Sequence, residues 1–257
     1  MNKDLIERGE PYDKKNWYIQ RIQYRIIKTL NKSPKLKNIV KNILNYFKIL
    51  KYQRQLKEFS TNKNYIIDPN KTYWIDPKKI KYASLKEFHV GKYKGKIING
   101  DWDLLKKPFE NLDIFIALRE RLIEGKEWKT TVFYNRIFNE IKQGKFLWGC
   151  KNQFDFENRL KKIEILFENI KKNGYKSQKE LQSNNNINPI LLEDEVAINI
   201  GRNGDFLFNN GAHRLSIAKI LNIKKIPIKI TVRHPQSTIH INQILSHIST
   251  NRTVKIR

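Results

Sequence analysis

The sequence predicts a mixed fold of the α/β or α+β class, and three patterns support this prediction. Residues 195–208 indicate two short strands joined by a turn, followed by a helix at 212–221 and a third strand at 227–232. Before them, residues 104–183 place apolar side chains at helical spacing. A basic stretch with the same spacing opens the chain. We therefore expect a small mixed sheet with a helical insertion and a basic helical N-terminal extension.

The chain divides into an extension and one larger domain. We assign residues 1–60 to the basic amphipathic extension and residues 61–257 to the domain. Within the domain, the helical insertion covers about residues 104–183 and the core motif covers 192–236. A folded chain of this length buries roughly three quarters of its surface, so its core needs no disulfide.

The strand and helix assignments depend on local signals. Asn203–Gly204 is a strong signal for a hairpin turn. The third strand places Ile and Val at alternate positions, which is typical of a buried strand. Apolar spacing predicts further strands at 72–75 and 96–98, and further helices at 112–123, 131–142, 156–172 and 238–249.

Cysteine content and hydropathy limit the compartment. The chain has one cysteine, Cys150, so it has no disulfide framework, which fits a reducing compartment. We expect Cys150 to be a buried small hydrophobe rather than a reactive thiol. The first residues do not resemble a signal peptide, and no apolar run approaches the ~20 residues that span a bilayer. These features predict a cytoplasmic protein, with peripheral attachment to the inner membrane face as the alternative.

The formal charge of +26 is extreme and comes mostly from lysine. Attraction to a polyanion explains such a charge: nucleic acid, acidic lipid or a phosphorylated substrate. Asn and Ile are abundant too, and the codon bias of an AT-rich genome would enrich all three residue types. The charge alone therefore does not choose a partner.

The N-terminal extension contains two predicted amphipathic helices. Apolar residues keep helical spacing over 16–30 and over 34–50, and Ser33–Pro34 is a good start for the second helix. No acidic residue occurs between Lys14 and Lys57. Three interpretations stay open for residues 14–57: packing on the domain, binding to an anionic membrane surface, or binding to nucleic acid.

The hairpin predicts a group of acids next to a helix start. Because the first two strands are antiparallel, the beginning of the first lies beside the end of the second. Glu193, Asp194 and Glu195 should therefore lie close to Asn209–Gly211. We further expect a crossover that makes the second and third strands parallel, which would bring Arg233–His234 to the same edge.

This edge has the chemistry of a phosphate site. Gly211 allows close approach of the backbone to a ligand, and the helix start offers unpaired N–H groups and partial positive charge. His213 and Arg214 add donors in the first turn. The acids at 193–195 could accept a proton or bind a metal. The structural alternative is ordinary helix capping beside a solvated acidic loop and a structural salt bridge.

The segment Asn210–Ala218, followed by Ile226–Pro227–Ile228, resembles the ParB/sulfiredoxin superfamily. The shared pattern is an acidic or amide residue, Gly, any residue, His or Arg, then Arg, a helix, and an Ile-Pro strand. The hairpin at 196–204 fits the same pattern. The resemblance covers roughly residues 192–236.

The resemblance implies nucleotide binding at this loop. Members include CTP-dependent DNA clamps, ATP-using sulfiredoxins, a kinase of free serine and ParB-like nucleases. It places the phosphate contacts on Asn210, Gly211, Ala212, His213 and Arg214, and a catalytic base among the acids before the loop. Sulfiredoxins carry a reactive Cys where this chain has Ala212, which excludes sulfinic-acid reduction. The clamps carry Glu-Arg-Arg after the Gly and a helix-turn-helix domain afterwards, and this chain shows neither.

The leading hypothesis from the sequence is a nucleotide-dependent phosphotransferase of the kinase type. Its catalytic candidates are Glu195, Glu193, Asp194 and His213. Its nucleotide-binding candidates are Asn210, Gly211, Ala212, His213, Arg214, Arg233 and His234. ATP or another nucleotide would be the cofactor, with Mg²⁺ as a candidate ion, and the acceptor would be a small polar or glycan-type molecule. The alternatives are a nucleic-acid-binding or nuclease-like ParB relative and a peripheral membrane accessory protein.

One weaker motif is Gly100–Asp101–Trp102–Asp103, which places two carboxylates around a tryptophan. It could contribute to a metal site, but a turn around a buried Trp is the more common structure for such a loop. The basic glycine loop at residues 91–96 lacks the spacing of a P-loop.

Overall fold

The computed structural model describes residues 67–182 and 191–250, and the single positions 39, 43, 46, 47 and 50. The chain separates into two compact units. One holds the described residues from 67 onward, and the other holds the five single positions, all of which have helical backbone. The helix predicted at 16–30 lies outside the described residues. So does the side chain of Glu193.

A seven-stranded mixed sheet organises the larger unit, which confirms the mixed α/β class. The strands follow the order β1-β7-β5-β6-β2-β4, and β3 also pairs with β7. Their bounds are β1 Tyr73–Ile75, β2 Tyr82–Ser84, β3 Lys96–Ile97, β4 Lys106–Pro108, β5 Val196–Ile200, β6 Phe206–Asn210 and β7 Ile226–Arg233.

Five of the six helices described in this unit agree closely with the predicted ones, and the short helix Val90–Tyr93 was not predicted. The bounds are α1 Val90–Tyr93, α2 Asp113–Leu122, α3 Val132–Lys142, α4 Gln153–Asn173, α5 Ala212–Ile220 and α6 Ile241–His247. The helix predicted at 238–249 is shorter, because a 3₁₀ segment covers Pro235–His240 before α6 begins. None of the helices in the described ranges is long and apolar enough to span a membrane.

The central strands are buried on both faces, which explains their apolar sequences. On one face, Ile198, Phe208 and Ile228 belong to the main core. On the other face, Leu207 packs in a smaller cluster with Phe88, Trp102 and Val232. Asn203–Gly204 forms the predicted hairpin turn between β5 and β6, where Gly201 N donates to Asp205 O at 3.0 Å.

The expected parallel arrangement of β6 and β7 is wrong. β5 lies between them, and it is antiparallel to β6 but parallel to β7. β6 and β7 therefore run in opposite directions. Val196 pairs with Ile228, and Ala197 pairs with Asn210, so β7 begins at the edge where β6 ends. Helix α5 and the turn after it therefore bring the chain back to the same end of the sheet at which β6 ends.

Candidate phosphate-binding site

The start of α5 is an uncapped helix N-terminus beside the beginning of β5. Gly211 is the N-cap residue, with φ 90° and ψ 35°, and it has no side chain to bond the first-turn N–H groups. A Cβ at this position would lie 3.1 Å from Val196 Cα, so only glycine fits without strain. The exposed Asn210 accepts a hydrogen bond from Gly211 N at 2.7 Å through its own Oδ1.

An ion pair lies directly beneath this helix start. Arg214 donates from its Nη1 to Glu195 Oε2 at 3.1 Å and to the carbonyl of Asp194 at 2.9 Å. Its Nη2 donates to the carbonyl of Lys176 at 2.9 Å, and its guanidinium lies 4.8 Å from the ring centroid of Tyr175. Arg214 therefore holds three chain segments together, and these bonds compete with any contact to phosphate.

Glu195 is the buried member of the pair, and only 5% of its surface is exposed. Its Oε1 accepts from Gln178 N at 2.6 Å, while Oε2 accepts from Arg214. Burial raises the pKa of Glu195 to about 7, although Arg214, the Gln178 amide and Lys229 act in the opposite direction. Because both oxygens already accept hydrogen bonds, Glu195 is poorly placed to take a proton from a substrate.

Asp194 is the accessible acid of the predicted group. Asp194 is exposed as a residue, directly precedes Glu195, and accepts a hydrogen bond from Arg214 through its backbone carbonyl. Partial burial of its carboxyl group raises the pKa of Asp194, and Arg214 acts in the opposite direction. The structure thus separates two acids that the sequence presents as equivalent. One is bonded beneath the helix start, and the other faces solvent beside it.

His213 occupies the first turn of α5 without a positive charge. Burial, together with the nearby Arg159, lowers the pKa of His213 to about 4, so the ring is neutral at pH 7. Its Nε2 atom is buried without a hydrogen-bond partner. The ring makes a T-shaped contact with Trp148 at a centroid distance of 5.0 Å, and the Arg159 guanidinium lies 5.7 Å from the Trp148 ring.

Trp148, Arg159 and Tyr175 are neighbours of the site that the sequence interpretation missed. Trp148 has φ 53° and Gly149 has φ 75°, in a tight turn closed by a bridge between Leu147 and Cys150. Gly149 is a turn signal, but nothing local indicates that this turn contacts α5. Cys150 itself is buried and burial raises the pKa of its thiol, in agreement with a packing role.

The comparisons with known proteins give no assignment. No family model, curated protein or solved structure matches the chain. Within residues 67–182 and 191–250, no group of three or more His, Cys, Asp or Glu side chains is arranged to hold a metal ion.

Arg233 and His234 do not close the site, and the reason is the strand direction described above. They end β7 at the opposite end of the sheet, where His234 N donates to Ile200 O at 2.9 Å. Both residues are buried there. His234 Nδ1 accepts from Gln236 N at 3.3 Å and caps the following 3₁₀ segment. Of the residues predicted to contact the phosphates, only 210–214 therefore lie together at the start of α5.

The opposite end of the sheet also contains the Gly100–Asp103 motif. Asp103 Oδ2 accepts from Arg202 N at 2.6 Å, and Asp103 also pairs with the Arg202 guanidinium. Trp102 is buried, and its Nε1 donates to Ile98 O at 2.9 Å. This loop clamps the β5–β6 turn, so the bonds of the motif agree with its structural interpretation.

Proposed function

We propose that the chain binds a nucleotide through its phosphates at the start of α5 and transfers the terminal phosphoryl group to a small polar or glycan-type acceptor. The observation that supports this proposal most is the uncapped first turn of α5 behind the left-handed Gly211. Such a turn presents N–H groups and partial positive charge to an anion. The resemblance of residues 192–236 to the ParB/sulfiredoxin superfamily favours the same site.

The proposal assigns separate tasks to the residues of this edge. Backbone N–H groups of the first turn hold the phosphates, and neutral His213 contributes a donor or acceptor rather than a charge. Arg159 and the net charge of +26 supply the attractive field. Arg214 is a positioning residue, because its hydrogen bonds fix the segments that carry Lys176 and Asp194. Mg²⁺ would arrive with the nucleotide phosphates.

Asp194 is the proposed base for the transfer. The acceptor hydroxyl oxygen bonds to the terminal phosphorus, and the bond from that phosphorus to its bridging oxygen breaks. The nucleoside diphosphate leaves when the nucleotide is a triphosphate. The acceptor proton passes to the Asp194 carboxylate, because Asp194 is an exposed residue and burial raises the pKa of its carboxyl group, which favours proton uptake.

Thermal shift with ATP and CTP in the presence of Mg²⁺ tests the binding step. A nucleotide that binds only the folded chain raises its Tm, by an amount that grows with concentration over Kd. We expect His213→Ala to lose most of this shift. His247→Ala is the matched control, since His247 is also half-buried and meets an aromatic ring, Phe206, edge-on at 6.2 Å. Equal shifts in both variants would contradict the site.

Nucleotide consumption with sugars and amino acids as acceptors tests the transfer step. Production of the diphosphate together with a phosphorylated acceptor supports the phosphotransferase. Cleavage of DNA or RNA without consumption of nucleotide would instead favour the nuclease-like relative. Binding of nucleotide without turnover on any acceptor would contradict the transfer step and leave a binding module.

A further inference from the structure

The described positions of the smaller unit expose large apolar side chains on helical backbone, in a stretch of basic sequence. Ile39, Ile43, Tyr46 and Phe47 have α-helical backbone and are 57%, 48%, 59% and 62% exposed. Leu50 is helical and half-buried. These five residues form the apolar stripe. None of them belongs to the phosphate-binding site.

The spacing of the apolar stripe places its members on one side of a helix. Successive members are four, three, one and three residues apart, which keeps them within a face about 100° wide. The rings of Tyr46 and Phe47 touch edge to face, with centroids 6.0 Å apart. Exposed apolar residues of the larger unit, such as Phe154 and Ile165, are eleven positions apart along α4. A contiguous exposed stripe of this kind marks an interaction surface, whereas scattered residues do not.

The charge around the apolar stripe selects the chemistry of its partner. No acidic residue occurs between Lys14 and Lys57, and Lys37, Lys41 and Lys48 recur at helical spacing within the same stretch. A partner must therefore combine negative charge with an apolar layer. Nucleic acid offers phosphates and flat base faces on which an aromatic ring can stack, but no deep apolar layer for the aliphatic side chains of Ile39 and Ile43. An anionic bilayer offers both, at the depth that aromatic and aliphatic side chains occupy in interfacial helices.

We infer that this helix binds the surface of an anionic phospholipid bilayer. The apolar stripe enters the boundary between headgroups and acyl chains, and the positive charge of residues 14–57 draws the helix to the negative surface potential of the bilayer. The helix lies in the plane of the surface, with its polar side toward water. This inference is independent of the proposed phosphotransferase activity, since it concerns other residues and another ligand.

Vesicle sedimentation with the full chain tests the inference. Vesicles contain phosphatidylcholine alone or with about one third phosphatidylglycerol, at several salt concentrations. We expect binding to the anionic vesicles, weakening as salt rises. Ile43→Asn with Phe47→Asn should lower the affinity by roughly tenfold or more, because two buried anchors are lost. The matched control is Phe154→Asn with Ile165→Asn, which removes two exposed apolar side chains from α4 and should bind as the native chain does.

A fluorescent label distinguishes insertion from electrostatic adsorption. Phe47→Cys labelled with an environment-sensitive dye should shift to the blue on anionic vesicles, and Phe154→Cys should not. The native Cys150 is buried, so the new thiol reacts preferentially. All positions changed here are exposed, and circular dichroism checks that each variant stays folded.

Five outcomes would overturn the inference. The first is absence of binding to anionic vesicles, and the second is equal binding by the Ile43/Phe47 and Phe154/Ile165 variants. The third is a dye at position 47 that stays in water on the vesicles. The fourth is that the native chain binds duplex DNA but not vesicles, and that the Ile43/Phe47 variant loses the DNA binding. A dimer seen by light scattering, broken by that variant and without vesicle binding, would likewise replace the bilayer by a second copy of the chain.

Discussion

The two ends of the central strands each hold a buried carboxylate beside an arginine, but the two pairs differ in construction. Glu195 and Arg214 lie where β5 begins, with 1% and 14% of their side chains exposed. Asp103 and Arg202 lie where β5 ends, with 3% and 23% exposed. Burial raises the pKa of Glu195 to about 7, while hydrogen bonds from Arg202 outweigh burial and lower the pKa of Asp103.

The difference follows from where each arginine places its donors. Arg202 directs its backbone N, Nε and Nη2 at Asp103, so one residue satisfies the carboxylate and clamps a local turn. Arg214 gives Glu195 one bond and uses others on the carbonyls of Asp194 and Lys176. The first pair stabilises a hairpin. The second joins distant segments around the start of α5, and it leaves its carboxylate less well compensated.

Replacement of the two arginines gives the largest expected effects. Arg214→Ala leaves Glu195 buried without its ionic partner, and we expect a loss of about 3–5 kcal/mol in the free energy of unfolding. Arg202→Ala should cost about 1–3 kcal/mol, since the backbone N of residue 202 still bonds Asp103. Urea denaturation of both variants measures the difference. An equal or larger loss for Arg202→Ala would mean that the two ends do not differ as described.

The pH dependence of stability separates the two carboxylates. Glu195 has a folded pKa of about 7 and an ordinary value of 4.5, so its contribution is present below pH 4.5 and is lost as pH rises to about 7. The size is on the order of 3 kcal/mol, since the two pKa values differ by about 2.5. Asp103 has a lowered pKa, so its contribution is present above its ordinary value of 3.8 and is lost as pH falls below it.

His213 changes protonation in the same pH range as Glu195. Its contribution to the free energy of unfolding must therefore be separated from that of Glu195. Its pKa falls from 6.5 to about 4, so its contribution is lost as pH falls between these values, against the trend of Glu195. The useful quantity is therefore the difference in stability between native chain and variant at each pH. For Glu195→Gln this difference should change between pH 4.5 and 7, and for Asp103→Asn only below about pH 4. A flat Glu195→Gln difference would contradict the raised pKa.

Sequence reasoning located β5, β6, α5 and β7 because each has a strong local signal. Alternating Ile and Val, the Asn203–Gly204 turn and the left-handed Gly211 act over a few residues. β2 and β4 were missed, since Tyr82–Ser84 and Lys106–Pro108 are three residues each without an apolar pattern. Their strand character comes from pairing with each other and with β6, which is a long-range property.

Only the part of the candidate site that depends on neighbouring residues in the sequence could be predicted. The hairpin correctly placed the acids of residues 194–195 beside Asn210–Gly211, because antiparallel geometry follows from a tight turn. The strand order could not be predicted from local signals. The sequence therefore wrongly placed Arg233 and His234 near the loop. The engagement of Arg214 by the Lys176 carbonyl also depends on a contact thirty-eight positions away along the chain.

Two glycines, one at each end of the sheet, extend the comparison to backbone conformation. Gly211 and Gly100 have similar positive φ values of 90° and 94°, but a Cβ at Gly211 meets Val196 Cα at 3.1 Å, whereas one at Gly100 meets nothing within 4 Å. We expect Gly100→Ala to cost about 1 kcal/mol for the conformation alone, and Gly211→Ala to cost about 1–2 kcal/mol more. Thermal denaturation measures both. Equal losses would show that β5 can move away from the helix start.

We expect the smallest effect on stability from replacing the exposed carboxylates. Comparing these replacements therefore tests the proposed function rather than the fold. Asp194 and Asp101 are both exposed residues, one at each end of the sheet, and Asp101 pairs with Arg202 at 2.8 Å. Asp194→Asn and Asp101→Asn should each change the free energy of unfolding by no more than about 1 kcal/mol. Under the proposed mechanism, Asp194→Asn should still bind nucleotide but slow its turnover by about 10²–10⁴-fold, because only proton transfer is lost. Asp101→Asn should leave turnover unchanged. Full turnover by Asp194→Asn would remove Asp194 as the base. Since Glu195 is engaged by Arg214 and Gln178, the next variant to measure would be Glu193→Gln.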